Sequence, residues 1–335
     1  MTFKDPPDKQ RPTLKTIASL TGLGVSTVSR ALKDGPEISE NTKCRVREVA
    51  KDIGYHPNRA GVRLRTGKTN IISLVLDTHE STMGLVSGMV YGISDVLAGT
   101  QYHLVVTPYS LNDPMEPIRY IAETRSADGI ILSRIQPRDP RVVYLLEKGI
   151  PFATHGRTDM DVIHPFHDFD NEAFAREAVK QLARRNRKKI GLLGPPSDYS
   201  FYRHTRAGFD AQRNIQNLEE ITLGNLNIDS PAAAIRALGQ DIATWTNRPD
   251  GIISSAFVST VALCWGIEEA GLKIGRDIDI VTKRSSEISS LMKPEVIGIE
   301  EDFRQAGHDL AQAVIAWING SDPAGYQFIV GPKIS

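Results

Sequence analysis

From residue 71 onward the chain alternates short apolar runs with amphipathic stretches, and no other feature restricts its folding as strongly. The runs are 71–76, 103–107, 129–133, 152–155, 190–193, 251–254 and 280–282, and helical spacing of apolar residues fills 85–97, 172–185, 231–245 and 259–270. A strand that is apolar at successive positions is buried on both faces, and strand–helix alternation of this kind gives parallel sheets covered by helices on each side. The strands outnumber what one small sheet holds, so two lobes are expected. Open sheets bind ligands at the carboxyl ends of their strands, and two facing lobes therefore make a cleft.

The first 68 residues follow a different pattern. They hold 14 Lys and Arg against 7 Asp and Glu, whereas the whole chain of 335 residues balances 40 against 40, so a head of net +7 is joined to a body of net −7. That asymmetry suits a polyanion-binding module, although a solvated charged face is the plainer explanation unless a motif accompanies it. A motif does accompany it. Leu14, Ile17 and Ala18 follow helical spacing behind Thr13, a capping residue, and Thr21-Gly22 ends that helix. Leu23, Val28, Ala31 and Leu32 then face inward and leave Val25, Ser26, Ser29, Arg30 and Lys33 outside. Two short helices separated by a glycine form a helix-turn-helix, and a third helix from Ser39 to Gly54 completes one small core. A helix with a short, polar, basic outer face suits a major groove. Arg30 is a natural bidentate donor to guanine, while Lys33, Lys43, Arg45 and Lys51 are candidates for phosphate contacts. Residues 55–65 are too few to form a stable helix alone and would fold only on a partner.

Some function classes are excluded early. No apolar run approaches the roughly 20 residues of a membrane span, and the charged, proline-containing start lacks the apolar core of a secretory signal, so a cytoplasmic location is expected. Cys44 and Cys264 form no metal or redox spacing and read as packing residues. No nucleophilic elbow or paired catalytic carboxylates are evident, which argues against an enzyme, and no cofactor is expected. Gly22-Leu23-Gly24 lacks both the preceding strand and the third glycine of a dinucleotide loop, and Gly67-Lys68-Thr69 lacks a correctly spaced upstream glycine. His164, His167, Asp168 and Asp170 have metal-ligand chemistry, but beside Pro165 they read as polar contacts of a linker.

Thr13 to Ala18, Val25-Ser26-Thr27-Val28-Ser29-Arg30-Ala31-Leu32 and Gly54-Tyr55-His56-Pro57-Asn58-Arg59, with Leu64 beyond, together resemble the head of the lactose-repressor (LacI/GalR) family of bacterial transcription regulators. The resemblance implies a DNA-binding surface of Thr13, Val25, Ser26, Thr27, Ser29, Arg30 and Lys33. It also implies a hinge helix carrying Asn58, Arg59, Gly61, Leu64 and Arg65, with Leu64 as a minor-groove wedge. Two positions depart from the pattern, Gly24 for a capping serine and Gly61 for alanine, each weakening its helix by under about 1 kcal/mol.

The body resembles the same family's effector-binding core, a fold shared with periplasmic sugar-binding proteins, through Ile150-Pro151-Phe152-Ala153, Arg157, Asp170-Asn171, Gly208-Phe209 and residues 271–281. The resemblance places lobe crossings near Pro165, Gly298 and Ala324. Asp77, His155, Arg157, Tyr202, Arg203, Arg206, Lys283 and Arg284 become the candidate effector contacts. Ala256-Phe257 and Lys283-Arg284-Ser285 stand where the family usually has acidic hydroxyl ligands, Gly156 stands for an aspartate, and Thr205 for an arginine. Lost carboxylates among retained arginines suggest an effector bearing a carboxylate or phosphate, gripped bidentately. The plainer alternative is that these arginines pair with nearby acids or face solvent.

The expected organisation is a tail (1–12), a helix-turn-helix domain (13–57), a hinge and linker (58–69) and an α/β effector-binding and dimerisation domain (70–335). Within the last, lobe 1 takes about 70–165 and 298–323, and lobe 2 about 166–297 and 324–335. The expected function is a repressor of carbohydrate or central carbon metabolism genes. It binds a palindromic double-stranded DNA operator as a homodimer under control of a sugar, sugar acid or phosphorylated metabolite. The alternative is a sugar-binding protein with no DNA-binding role.

Overall fold

The computed structural model describes residues 12–55, 67–77, 83–109, 113–285 and 295–333. It divides into two compact units, Met1–Thr69 and Asn70–Ser335.

In the first unit the described helices are α1 (Leu14–Thr21), α2 (Val25–Ala31) and α3 (Glu40–Asp52). Local chemistry sets their ends. Thr13 caps α1 by accepting from the Thr16 amide, Gly22 closes it at φ 69°, and Ser39 caps α3 by accepting from the Thr42 amide. Helix α2 begins at Gly24 with no side-chain cap, as the sequence implies. Ile17, Val28, Ala31 and Val46 are fully buried between the three helices, with Leu14, Leu23 and Tyr55 packed around them.

The second unit contains two parallel sheets. The elements run β1 (Ile71–Asp77), α4 (Met83–Leu97), β2 (His103–Tyr109), α5 (Glu116–Thr124), β3 (Gly129–Leu132), α6 (Pro140–Lys148), β4 (Phe152–His155) and β5 (Phe166–Phe169). They continue with α7 (Asn171–Arg184), β6 (Lys189–Leu193), α8 (Ser200–Ile215), β7 (Glu219–Glu220), α9 (Ala232–Ile242), β8 (Gly251–Ser254) and α10 (Phe257–Glu269). The last are β9 (Asp279–Arg284), β10 (Ile297–Glu300), α11 (Phe303–Ile318) and β11 (Gln327–Val330). The first sheet has the order β11-β5-β4-β3-β1-β2, and the second β10-β9-β8-β6-β7. The central strands β1, β3 and β8 are buried at almost every position, as continuous apolar runs require. Helices α4 and α11 cover one face of the first sheet over a core of Leu74, Met89 and Leu310, and α5 and α6 cover the other over Ile118, Ile130 and Phe152. The second sheet is sandwiched likewise by α7 and α8 around Phe174 and Phe209, and by α9 and α10 around Ile252 and Leu263. Three of these helix pairs, α4 with α11, α7 with α8 and α9 with α10, pack through glycine. A Cβ on Gly92 would lie 1.9 Å from the Arg304 carbonyl, and one on Gly266 would lie 1.9 Å from the Arg236 carbonyl.

Three expectations need correction. Phe166–Phe169 pairs with β4, and Gln327–Val330 pairs with β5, so both belong to the first sheet, while Ile297–Glu300 pairs with β9 in the second. The chain therefore crosses after Phe169, after Glu300 and after Val330, each time later than Pro165, Gly298 and Ala324. Strand β5 reads Phe-His-Asp-Phe, and periodicity misses it because its buried polar residues are served by tertiary partners, as when the His167 Nδ1 meets the Asp309 carboxylate at 2.9 Å. Finally, Cys44 is exposed on α3 rather than packed, whereas Cys264 is buried.

Candidate functional site

In the first unit α2 turns Val28 and Ala31 into the core, which leaves Val25, Ser26 and Arg30 exposed and Thr27 and Ser29 half-buried on one outer face. Lys33 is exposed just beyond the helix, and Thr13 is exposed with its hydroxyl engaged in the α1 cap. Arg30 has only a loose ion pair with Glu37, at 3.5 Å. Of the expected phosphate contacts, Lys51 is exposed and Arg45 is exposed while bonding the Thr21 carbonyl at 2.8 Å. Lys43 is buried with its ammonium 2.7 Å from Glu40 on the same helix, so it is less accessible to a phosphate than Lys51. Asn58, Arg59, Gly61, Leu64 and Arg65 lie outside the described residues.

In the second unit the strand ends converge from both lobes on a cavity of about 120 Å3. His155 ends β4, Asp168 lies near the end of β5, Lys283 near the end of β9, and Glu301 follows β10. Ser200 opens α8, and Ser255 and Ala256 lie between β8 and α10. The Lys283 ammonium sits 2.6 Å from the Asn171 side-chain oxygen and 3.0 Å from Glu301, over the ring of Phe169. Asp168 faces Arg157 at 3.4 Å and His204 at 3.9 Å. Burial pushes its carboxyl up to about 7, against the pull of Arg157. The His155 ring is desolvated, faces the ring of His167, and is held down at about 3, so it stays neutral. Arg134, at the end of β3, spans the lobes. It is 2.7 Å from Asp77, hydrogen-bonds Asp229 and lies 4.4 Å over the Tyr199 ring.

Among the described residues the cations in the cavity wall, Arg134 and Lys283, thus each have a carboxylate partner. The neutral polar groups differ, because the His155 Nε2 and the Ser200 and Ser255 hydroxyls are buried without hydrogen-bond partners among the described residues.

The expected effector residues divide accordingly. His155 and Lys283 line the cavity, while Arg157 lies behind it on Asp168 and Asp77 behind it on Arg134. Arg203 is exposed and paired with Asp159, and Arg206 is held by Asp210 and Glu220, and neither lies in the cavity wall. Arg284 lies across Gly298, where a Cβ would fall 2.0 Å from its Nε, and is not in the cavity wall. Tyr202 is half-buried and also outside the wall, whereas its neighbour Phe201 is in it. The plainer reading of the arginines, pairing with nearby acids, therefore describes Arg203 and Arg206. Sequence reasoning missed Arg134, Asn171 and Glu301 as wall residues. The signal for Arg134 was its place directly after an apolar strand.

A helix-turn-helix unit joined to a two-lobed parallel α/β body with a ligand-sized cleft defines a binding-protein fold coupled to a DNA-reading head. Comparison with known proteins agrees. The family described as bacterial regulatory proteins, lacI family, matches residues 13–58, and the periplasmic binding protein-like domain matches 179–334. The HTH-type transcriptional regulator AglR of Rhizobium meliloti (strain 1021) is 29% identical over 91% of this chain and 87% of its own. Two solved structures share the fold over nearly the whole length. The lac repressor dimer bound to operator and the anti-inducer ONPF has a TM-score of 0.82 at 19% identity and 97% coverage of each chain. The transcriptional regulator CelR in complex with cellobiose has a TM-score of 0.67 at 23% identity, covering 96% of this chain and 98% of that one. The chain thus carries a lacI-family regulatory head ahead of a periplasmic binding protein-like domain, and it is similar over nearly its whole length to helix-turn-helix transcriptional regulators. Among the described residues no helix is long and apolar enough to cross a membrane.

Proposed function

We propose that this regulator is a repressor that binds a palindromic operator as a homodimer and is controlled by a neutral, polyhydroxylated effector in the interlobe cleft. The observation that carries the effector class is the division of the cavity wall. Among the described residues its cations Arg134 and Lys283 already pair with Asp77, Asp229 and Glu301, while His155, Ser200 and Ser255 keep unmet hydrogen-bonding capacity. Buried polar groups without partners are costly, and a ligand rich in hydroxyls satisfies them without adding charge. An anionic effector, the expectation from sequence, needs a spare cation that this wall does not offer among the described residues. The complex of a fold neighbour with cellobiose is consistent with a sugar here.

The DNA-binding side rests on the exposed Val25-Ser26-Arg30 face of α2 and on the basic composition of the head. A palindrome requires a two-fold partner, and exposed apolar side chains on the body, Trp265 on α10, Tyr91 on α4 and Val106 on the edge strand β2, give such a partner a surface. An electrophoretic shift with genomic fragments tests the whole reading. A salt-dependent complex on one palindromic site, released by a neutral sugar and not by sugar acids or phosphates, is the expected result. Binding that is uniform across fragments, or release by anions alone, would sink it.

A further inference from the structure

Helix α8 of the second lobe starts behind Tyr199 with no side-chain cap. The first amides of a helix have no partner inside it, so a buried helix start needs one from elsewhere. Here the partner comes from the other lobe. Ser200 is buried, and its amide donates at 2.9 Å to the carbonyl of Ile135, in the loop after β3. One residue earlier in that loop, the Arg134 guanidinium lies 2.7 Å from Asp77 of the first lobe, hydrogen-bonds Asp229 of the second at 3.2 Å and sits 4.4 Å over the Tyr199 ring. Further along α8, Arg203 pairs with Asp159 and the His204 Nδ1 lies 3.9 Å from Asp168, so the first turns of this helix meet the first lobe repeatedly.

The loop owes its shape to the first lobe. Arg134 has φ 54°, in the left-handed region, where a residue with a side chain persists only if the surrounding structure over-determines it. The buried Arg141 supplies that constraint. Its guanidinium donates to the Ser133 carbonyl at 3.1 Å and to the Arg134 carbonyl at 2.9 Å, and it is fixed in turn by the Asp139 carboxylate at 2.7 Å. Asp139 also accepts from the Gln136 amide at 3.1 Å, which pins the loop beyond Ile135. These anchors all belong to the first lobe, and each contact with α8 runs between two protein groups. Forming the seam therefore requires nothing inside the cleft.

We infer that Arg134 and Ile135 form a clasp, preshaped in the first lobe, that caps α8 of the second and holds the two lobes together whether or not an effector is bound. The effector then meets walls that are already in place along α8, and its binding energy is not spent on bringing them together. The inference makes no use of the effector's chemical class, so it stands or falls apart from the polyhydroxyl reading.

Amide hydrogen exchange of the full chain, with no small molecule added, tests this residue by residue. Because the helix itself does not protect its first amide, slow exchange at Ser200 reports the seam, and it should be more than about tenfold slower than in an unstructured peptide. Asp229→Asn leaves Arg134 its pair with Asp77 but loosens its hold on the second lobe. It should speed exchange at Ser200 by about fivefold or more, while the amides of Ile131 in β3 and Phe209 in α8 stay within about twofold and show that both lobes remain folded. Tyr199→Leu, which removes the ring beneath the guanidinium, should act in the same direction. Arg203→Ala breaks only an exposed pair and should change Ser200 by less than about twofold. A Ser200 amide that exchanges within about tenfold of the peptide rate while Phe209 is protected means that the lobes part freely, and overturns the clasp. A protected Ser200 amide that neither Asp229→Asn nor Tyr199→Leu accelerates overturns it as well, since Arg134 would then not be what holds the seam.

Discussion

The arginines of the head and those of the cleft are the same chemical group in opposite situations. Arg30 stands 62% exposed with a loose partner, Glu37, that is itself half in water. An ion pair of that kind is worth little, about 0–1 kcal/mol, so Arg30 can leave it for a base or phosphate at almost no cost. Arg134 is 6% exposed and pairs with Asp77, which is not exposed at all. A pair taken out of water repays its desolvation only through its partner, so this arginine is committed to the architecture. A count of charges treats the two alike. Burial decides which cation is available to a ligand and which has been spent on holding the lobes.

The sharpest way to break this contrast is Arg134→Ala. It removes the buried cation shared by Asp77 and Asp229, and should destabilise the body by about 3–5 kcal/mol in urea unfolding. A loss under 1 kcal/mol would show that water already reaches the pair. Arg30→Ala, by comparison, should leave folding stability almost unchanged and cost about 1–3 kcal/mol on the cognate operator, with a much smaller loss on non-specific DNA. Equal losses on both would make Arg30 a phosphate contact only.

Asp168 sharpens the comparison through pH. Its carboxyl is raised to about 7 from an ordinary value of 3.8, so between those values the native state keeps a proton that the unfolded chain has released. Its contribution to stability therefore falls as pH rises through that window, and the penalty is complete above about 7. Asp168→Asn, which fixes the neutral form, should leave stability unchanged near pH 4 and raise it by about 1 kcal/mol, or 2–4 °C in melting temperature, at pH 8. A gain that is the same at both pH values would mean that Arg157 keeps Asp168 ionised throughout. The smallest effect belongs to Arg206→Ala. Its partners Asp210 and Glu220 are partly exposed, so the expected cost is under about 1 kcal/mol, and effector affinity should not change. A large drop in affinity would return Arg206 to the cleft.

Local signals were enough for the head. Its helix limits follow from Thr13, Gly22, Ser39 and Gly54, and its core from the spacing of Ile17, Val28, Ala31 and Val46, because capping and amphipathic periodicity act within a few residues. The apolar strands of the body were legible for the same reason, as was the general rule that strand ends face a cleft, which put His155 where the cavity is, while Lys283 came from the family resemblance. Strand β5 was not legible. Its His167 and Asp168 are tolerable inside a sheet only because Asp309 and Arg157, distant in sequence, lie against them. The lobe crossings shifted with it.

The sequence by itself determined the class of fold, the basic helix-turn-helix and the alternation that builds two parallel sheets, since each of these is written in short-range patterns. Only the tertiary structure decided the chemistry of the cleft. Whether an arginine grips a ligand depends on which carboxylate reaches it first, and Asp229 for Arg134, Asp159 for Arg203 and Glu220 for Arg206 arrive from other parts of the chain. Coulomb energy and desolvation depend on distance in space and on exclusion of water, and neither is fixed by order along the chain.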